Sequence, residues 1–330
     1  MIFNEQYSKE EFEKKKASFR LNSHSGIEQL ASECETFFQN QIYKNLDGEN
    51  NQNVIGDHVH NSKNAFYCFD SKDLEDCRYC AKLSLGVKDS MDYNSWGDKA
   101  ELIYMSAGCG DSIYNLKFCT FCTTNLRDCT YCDHCTSCSD CFGCVGLKKK
   151  QYCIFNKQYS KEEYFELKTK LEKLMVETRE AGKFFPKSLC PWGYNETIAM
   201  DYYPLTKEEA IARGFKWKDK DLKEYIKVDT VVPDGIDEVS SDMVSKLLAC
   251  QTCGKNYKII QQEFEFYKKM NIPVPKQCPD CRHLGRMKKR SAKYFMDAKC
   301  SRCGRDMKTT LKMDGGKKVY CENCYLEEVY

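Results

Sequence analysis

Residues 129–144 read CTYCDHCTSCSDCFGC and place Cys129, Cys132, Cys135, Cys138, Cys141 and Cys144 at intervals of three. No other feature of the chain restricts its folding so tightly. A strand repeats every two residues and an α-helix every 3.6, so a strict period of three keeps its side chains on one face of neither. Two readings follow. The run either offers successive C-x-x-C bites to a metal, or it coils into a tight solenoid whose corners recur at short, regular spacing.

A finer repeat bears on the choice. DLEDCRYC (73–80), NLKFCTFC (115–122) and NLRDCTYC (125–132) share one pattern: Asp or Asn, Leu, two residues, Cys, a residue, an aromatic, Cys. NSKNAFYC (61–68) and SCSDCFGC (137–144) echo it. Neighbouring copies start ten to twelve residues apart, which suits one coil of a β-solenoid per copy. Asp or Asn would turn the corners, and cysteine, small and soft, would fill an inward ladder. Ala65 stands where other copies carry cysteine, and alanine cannot replace a metal ligand, so the ladder is preferred. The alternative is a metal or an iron–sulfur cluster within 119–144, with His134 available to join. Its short C-x-x-C-x-x-C spacing is suggestive, although the usual cluster run ends in Cys-Pro and the first proline is Pro186.

A longer repeat organises the chain. IFNEQYSKEEF at 2–12 returns as IFNKQYSKEEY at 154–164, nine identities in eleven positions. Ser8 with Glu11 and Ser160 with Glu163 are capping boxes, so a helix leaves each copy. After the second, Tyr164, Leu167, Leu171 and Leu174 form an apolar stripe that ends near Gly182. Thr206 with Glu209 starts a further short helix that Gly214 stops. Four segments result: a helical N-terminal segment (1–54), a cysteine-rich β-solenoid (55–159), a helix and connector (160–245) and a double zinc-ribbon domain (246–330). The class expected is mainly β with flanking helices. GCGD at 108–111 reads as a turn, Cys190 as structural, and the charge run KWKDKDLKEYIK as a solvated face. Residue 1 corresponds to residue 153 of the second copy, so the first copy reads as lacking what should precede it.

Compartment follows from cysteine usage. MIFNEQYSKEEFEKKK has no apolar stretch behind a basic start, and no run of roughly 18 apolar residues would span a membrane. A cytoplasmic location is expected, where 23 cysteines serve as metal ligands or small buried side chains rather than disulfides. With only five histidines, metal sites must be mostly thiolate, which favours zinc or iron–sulfur.

The strongest chemical signal closes the chain. Cys250-x-x-Cys253, Cys278-x-x-Cys281, Cys300-x-x-Cys303 and Cys321-x-x-Cys324 are four chelating pairs with 24, 18 and 17 residues between them. Two thiolates separated by two residues occupy adjacent corners of a tetrahedron and a second pair completes it, so two closed zinc sites of four cysteines each are expected. Sequential pairing is the simplest arrangement, and first with third and second with fourth is the other. Gly254 and Gly304 follow the first knuckles, where a tight turn favours a residue without Cβ.

CQTCGKNYKIIQQEFEFYKKMNIPVPKQCPDCR resembles a zinc-ribbon domain, with a C-x-x-C-G-K knuckle, an aromatic-bearing helix, a proline-bearing approach and a closing CPDCR; Tyr257 replaces the usual phenylalanine. The whole chain is similar to long uncharacterised bacterial zinc-ribbon proteins with cysteine-rich repeats and IFNK-YSKEEY units. Those often carry a further ribbon and cysteine-rich block before their first such unit, so this chain reads as a shortened relative or a truncated one. The resemblance implies zinc binding and no established activity.

No P-loop, nucleophile elbow or H-E-x-x-H is present, so a non-enzymatic role is expected. Residues 250–330 hold 18 Lys and Arg against 9 Asp and Glu, a net +9 beside the chain's +2. Arg282, Arg286, Lys288, Lys289, Arg290 and Lys293, with Tyr294 and Phe295, form a cationic strip between two knuckles. Such a strip can pair with phosphates and stack on unpaired bases, which points to RNA or single-stranded DNA as partner. A structural or protein-interaction scaffold and an iron–sulfur or thiol redox protein are the competing roles.

Overall fold

A turn at nearly every third residue shapes the repeat region. Asp128, Tyr131, His134, Ser137, Asp140 and Gly143 all have φ between 49° and 63°, and each directly precedes an inward cysteine. The computed structural model describes residues 1–219, 224–313 and 316–329. Between Gly48 and Gln158 it winds as about eight coils, whose strands pair in parallel until a final antiparallel hairpin at residues 151–158. Each wall of a coil is three residues long: one points inward, one lies flat on the wall and one turns the corner. Four walls close a coil.

Inward side chains of successive coils stack in four columns. One runs through Ile103, Leu116, Cys129, Cys141 and Cys153 as direct partners, with Val54, Ala65 and Cys77 in the same column nearer its start. The neighbouring wall, three residues earlier in each coil, stacks Leu74, Val87, Ala100 and Ile113. Every cysteine from Cys68 to Cys153 is buried in this one core. Cysteine fits because it is small and apolar, and because the S–H reaches backbone carbonyls of its own wall and of the next coil. Cys129 Sγ lies 3.2 Å from the Arg127 carbonyl two residues back and 3.8 Å from that of Cys138 in the next coil. Ala65, Ile103 and Leu116 are equally buried in the same column, so the position demands an apolar side chain and not sulfur.

The corners explain the polar residues. Left-handed φ is disfavoured for most side chains and best tolerated by Gly, Asn and Asp. Here Asn53 donates to Asn64 at 2.9 Å, Asn64 to Asp76 at 2.8 Å and Asn115 to Asp128 at 2.6 Å, so corners bind corners up the stack. Aromatics also occupy corners, against their preference, and recover stability by stacking: Phe118 on Tyr131 at 4.6 Å and 9°, Tyr67 on Tyr79 at 5.4 Å and 23°.

The register corrects the coil length. Gly48 pairs with Val59 eleven residues on, Cys129 with Cys141 twelve on and Leu116 with Cys129 thirteen on, so coils hold 11 to 13 residues rather than ten to twelve. NLKFCTFC lies one wall out of phase with the other octets: its Leu116 pairs with Cys129 and not with Leu126. The octet pattern belongs to walls, and an out-of-phase copy mimics a short coil. Residues 108–110 belong to the strand Ala100–Gly110, and GCGD itself holds corners, a left-handed Gly108 before the inward Cys109 and Asp111, which forms a doubled corner with Ser112.

Eight α-helices are present among the described residues: α1 (Lys9–Ser18), α2 (His24–Gln39), α3 (Lys161–Glu177), α4 (Ala199–Tyr202), α5 (Lys207–Ala212), α6 (Gln261–Met270), α7 (Pro279–Lys288) and α8 (Glu322–Val329). Both copies of the duplicated motif fold alike, with a left-handed pair, Phe3 with Asn4 and Phe155 with Asn156, followed by complete capping boxes. α3 packs on the last coils of the solenoid. Tyr164 packs beneath Phe142 and Ile154, joined by Leu167, Leu171 and Met175. Leu174 is exposed instead, because at 100° per residue Met175 lies only about 20° round from Tyr164. No side chain of α1 is buried.

In the connector, Cys190 is exposed, and Lys216 donates to its carbonyl. Lys218 pairs with Glu196 and Asp219 with Lys207, so this part of the charge run is tied down. Residues 220–223 of that run lie outside the described residues.

Two small modules end the chain. Each has a two-stranded antiparallel hairpin, Leu248–Ala249 with Asn256–Tyr257 and Met296–Lys299 with Asp306–Thr309, and each ends in a helix, α7 or α8. The N-terminal segment spans both. His24 Nε2 lies 2.9 Å from the Val274 carbonyl in the first, and the strand Ile42–Lys44 pairs with Lys318–Tyr320 of the second. The second also touches the first coil, where Thr310 donates to the buried carboxylate of Asp57.

Candidate metal centres

Each module builds its centre from one turn and one helix start. After Cys250 the chain reverses so that Gly254 N–H donates to the Cys250 carbonyl at 2.9 Å, with Gly254 at φ 73°. Gly304 repeats this on Cys300 at 2.9 Å and φ 72°. The second pair opens a helix. Cys278 caps α7 with Pro279 in the first turn, and Cys321 precedes α8 with Tyr325 N–H donating to its carbonyl at 2.9 Å.

These elements bring Cys250, Cys253, Cys278 and Cys281 together, and separately Cys300, Cys303, Cys321 and Cys324, with the four sulfurs of each group within 4.8 Å of one another. Pairing is therefore sequential. Cys253 Sγ to Cys278 Sγ and Cys303 Sγ to Cys321 Sγ both measure 3.8 Å. A metal with bonds of about 2.3 Å to four sulfurs sets a tetrahedron edge of about 3.8 Å, so each group can hold one metal ion as it stands. One thiol of each group is biased toward that role, whereas hydrogen bonding to Cys253 raises Cys281 and burial raises Cys324. Burial opposes ionisation of Cys250, but backbone N–H groups of Cys278, Cys253 and Thr252 outweigh it and bring the thiol down to about 6. At Cys300 the same opposition from burial is outweighed by the N–H groups of Cys303, Cys321 and Arg302, again to about 6.

The cysteines of 119–144 are arranged otherwise. They are distributed over all four columns, and among the described residues none joins a converging group of ligands. Burial raises the Cys119 and Cys138 thiols above their usual range. His134 is exposed and packs against Phe121 with tilted rings, centroids 5.0 Å apart.

The cationic strip divides in two. Arg282 turns inward to Glu263 at 3.1 Å and to the Tyr267 hydroxyl at 2.9 Å. Arg290 reaches the Tyr202 hydroxyl at 2.7 Å and Asp70 on the solenoid at 3.4 Å, and Lys293 also pairs with Asp70. Arg286, Lys288 and Lys289 are exposed and make no ion pair among the described residues. Phe295 packs on Tyr67 and Phe69, so the segment between the modules is strapped to the solenoid wall. Sequence reasoning missed Asp70 and Tyr202, whose rings and charges lie far off in the chain; Tyr202 is flanked by Lys82 at 4.2 Å and Arg290 at 4.9 Å.

Fold and centres define a β-solenoid with a cysteine core, joined to two modules that each gather four cysteines. Compared with known protein families and with curated proteins, the chain matches none.

Proposed function

We propose that the protein is a non-enzymatic zinc protein that binds single-stranded nucleic acid through α7. The tetrahedral sulfur spacing of 3.8 Å carries the zinc assignment, supported by all-thiolate ligands and by the resemblance of residues 250–282 to a zinc ribbon. Both centres are closed, so the metal is structural and leaves no position for a substrate. The nucleic-acid reading rests on one juxtaposition. α7 starts at ligand Cys278, so the metal fixes the helix that presents Arg286, Lys288 and Lys289 to solvent. Thirteen buried free thiols, Cys68 to Cys153, suit a reducing compartment such as the cytoplasm, and among the described residues no helix is long and apolar enough to cross a membrane.

Metal analysis after anaerobic purification should give two zinc ions per chain and no iron. Binding to a single-stranded oligonucleotide should weaken steeply with salt, and neutralising Arg286, Lys288 and Lys289 together should reduce the slope by about 2–3 units. An unchanged slope would remove the nucleic-acid role. A scaffold role is then favoured by the inward turn of Arg282, Arg290 and Lys293, which spends half the strip on bracing the first module and on holding the strap to the solenoid.

A further inference from the structure

We propose that the cleft between the solenoid wall and the strap joining the two modules holds one unpaired nucleobase of the bound strand. This rests on the nucleic-acid reading and adds a stacking site to it. The cleft, of about 610 Å³, is formed by three segments distant in sequence: solenoid corners at Tyr67 and Tyr79, the connector at Tyr203, and the strap at residues 293–295. That volume is typical of a small-molecule site.

Its lining is that of a base-stacking platform. Tyr67, Tyr79, Tyr203 and Tyr294 remain 47%, 54%, 50% and 52% exposed around the one cavity. Rings left half-bare at a cavity mark a binding surface more than a core. Tyr67 and Tyr79 stack on each other, and Phe295 braces Tyr67 from the strap side, so the platform is rigid before any ligand arrives. Asp92 and Asn94 line the same cleft and offer acceptors and an amide to the edge of a base.

Charge complementarity selects a nucleic acid over an uncharged aromatic ligand. Lys308 lies in the lining, and its pair with Asp297 at 2.5 Å is exposed on both sides, 55% and 87%. Such a pair is weakly held, so the ammonium can turn to a phosphate. Lys293 differs: only 9% exposed and paired with Asp70, it fixes the strap. The strap continues from α7, so a strand lying along Arg286, Lys288 and Lys289 is led toward the rings.

The test uses the full chain, a labelled oligoadenylate of about 12 nucleotides and an abasic oligomer of equal length. Tyr79→Ala and Tyr294→Ala should each weaken oligoadenylate binding by about 5- to 140-fold, the range a single base–aromatic stack supplies, with the salt slope unchanged. Tyr79→Phe should bind as the native chain does, and the abasic oligomer should bind weakly and ignore all three changes. If the tyrosine variants bind normally while neutralising Arg286, Lys288 and Lys289 weakens binding, the cleft is no base site and the nucleic-acid reading stands. If the native chain binds neither oligomer at low salt, both fall.

Discussion

Replacing Cys135 by alanine separates a packing ladder from a metal site. Its thiol is wholly buried, with carbonyls of Asp133 and Cys144 each 3.5 Å from the sulfur. The substitution deletes one sulfur from a column, leaves Cβ in place, and opens a void too small for water. Loss of the buried sulfur and of partners across the void together amounts to about 1–2 kcal/mol. The S–H bonds add little, since a thiol is a weak donor and its single hydrogen is shared between two carbonyls. For a unit of about 100 residues, each kcal/mol shifts the melting temperature by roughly 4 °C or more, so a loss of about 4–8 °C is expected. Thermal melting by circular dichroism reads the shift, and metal analysis of the same sample should still give two ions per chain. A metal content below two, or a loss beyond about 4 kcal/mol, would refute the ladder, because one vacated small group cannot account for it.

Other perturbations test the remaining contacts. Cys253→Ser should remove one metal equivalent and leave the other, with β-solenoid circular dichroism intact; loss of both would mean that the centres are interdependent. Asp70→Asn takes the carboxylate charge from Arg290 and from a Lys293 that is almost enclosed, and should weaken strap docking by about 1–3 kcal/mol, seen as faster tryptic cleavage at Lys293; unchanged cleavage would sink that assignment. At His24, burial and the neighbouring Lys276 lower the folded pKa below its usual 6.5, so the unfolded chain takes up a proton first. Its contribution should be complete above about pH 6.5 and fade as pH falls below it, so the difference in melting temperature between the native chain and His24→Gln should shrink on acidification. A difference that grew instead would reverse the sign.

Much of this was legible before the fold was known, and the misses have physical reasons. Period three, the Asn and Asp corners and Ala65 identify an inward ladder because each constrains a local wall. The C-x-x-C pairs specify the centres because chelation is local too. Coil length was not legible: NLKFCTFC repeats the chemistry of a wall one step out of phase, and sequence shows composition of a wall without its position in the coil. Left-handed Tyr67, Tyr79, Phe118 and Tyr131 run against residue preference, and only the coil above supplies the ring that offsets it. The inward half of the cationic strip was hidden for the same reason, since its acceptor, Asp70, lies 220 residues from Arg290.

Coil length itself can be tested, because the thirteenth residue has an address. Thirteen-residue coils carry two successive left-handed residues at one corner, Leu85 with Gly86, Asp98 with Lys99, Asp111 with Ser112 and Thr124 with Asn125, whereas twelve-residue coils carry one there, as at Asp73 and Ser137. The doubled corners bond to one another: Asp111 and Ser112 donate to the carbonyls of Gly97 and Asp98, and Thr124 and Asn125 to those of Gly110 and Asp111. At the boundary with a shorter coil the ladder adapts, and Ser137 N–H lies 2.9 Å from the Thr124 carbonyl. Deleting Asn125 converts the last long coil to a short one and only moves that boundary up by a coil. Deleting Ser112 places a short coil between two long ones and adds two boundaries. With about 1 kcal/mol for each backbone bond displaced, the Ser112 deletion should be the less stable by about 2 kcal/mol, roughly 8 °C in melting temperature. Equal melting of the two deletions would show that the extra residue is absorbed by the wall and not by the corner.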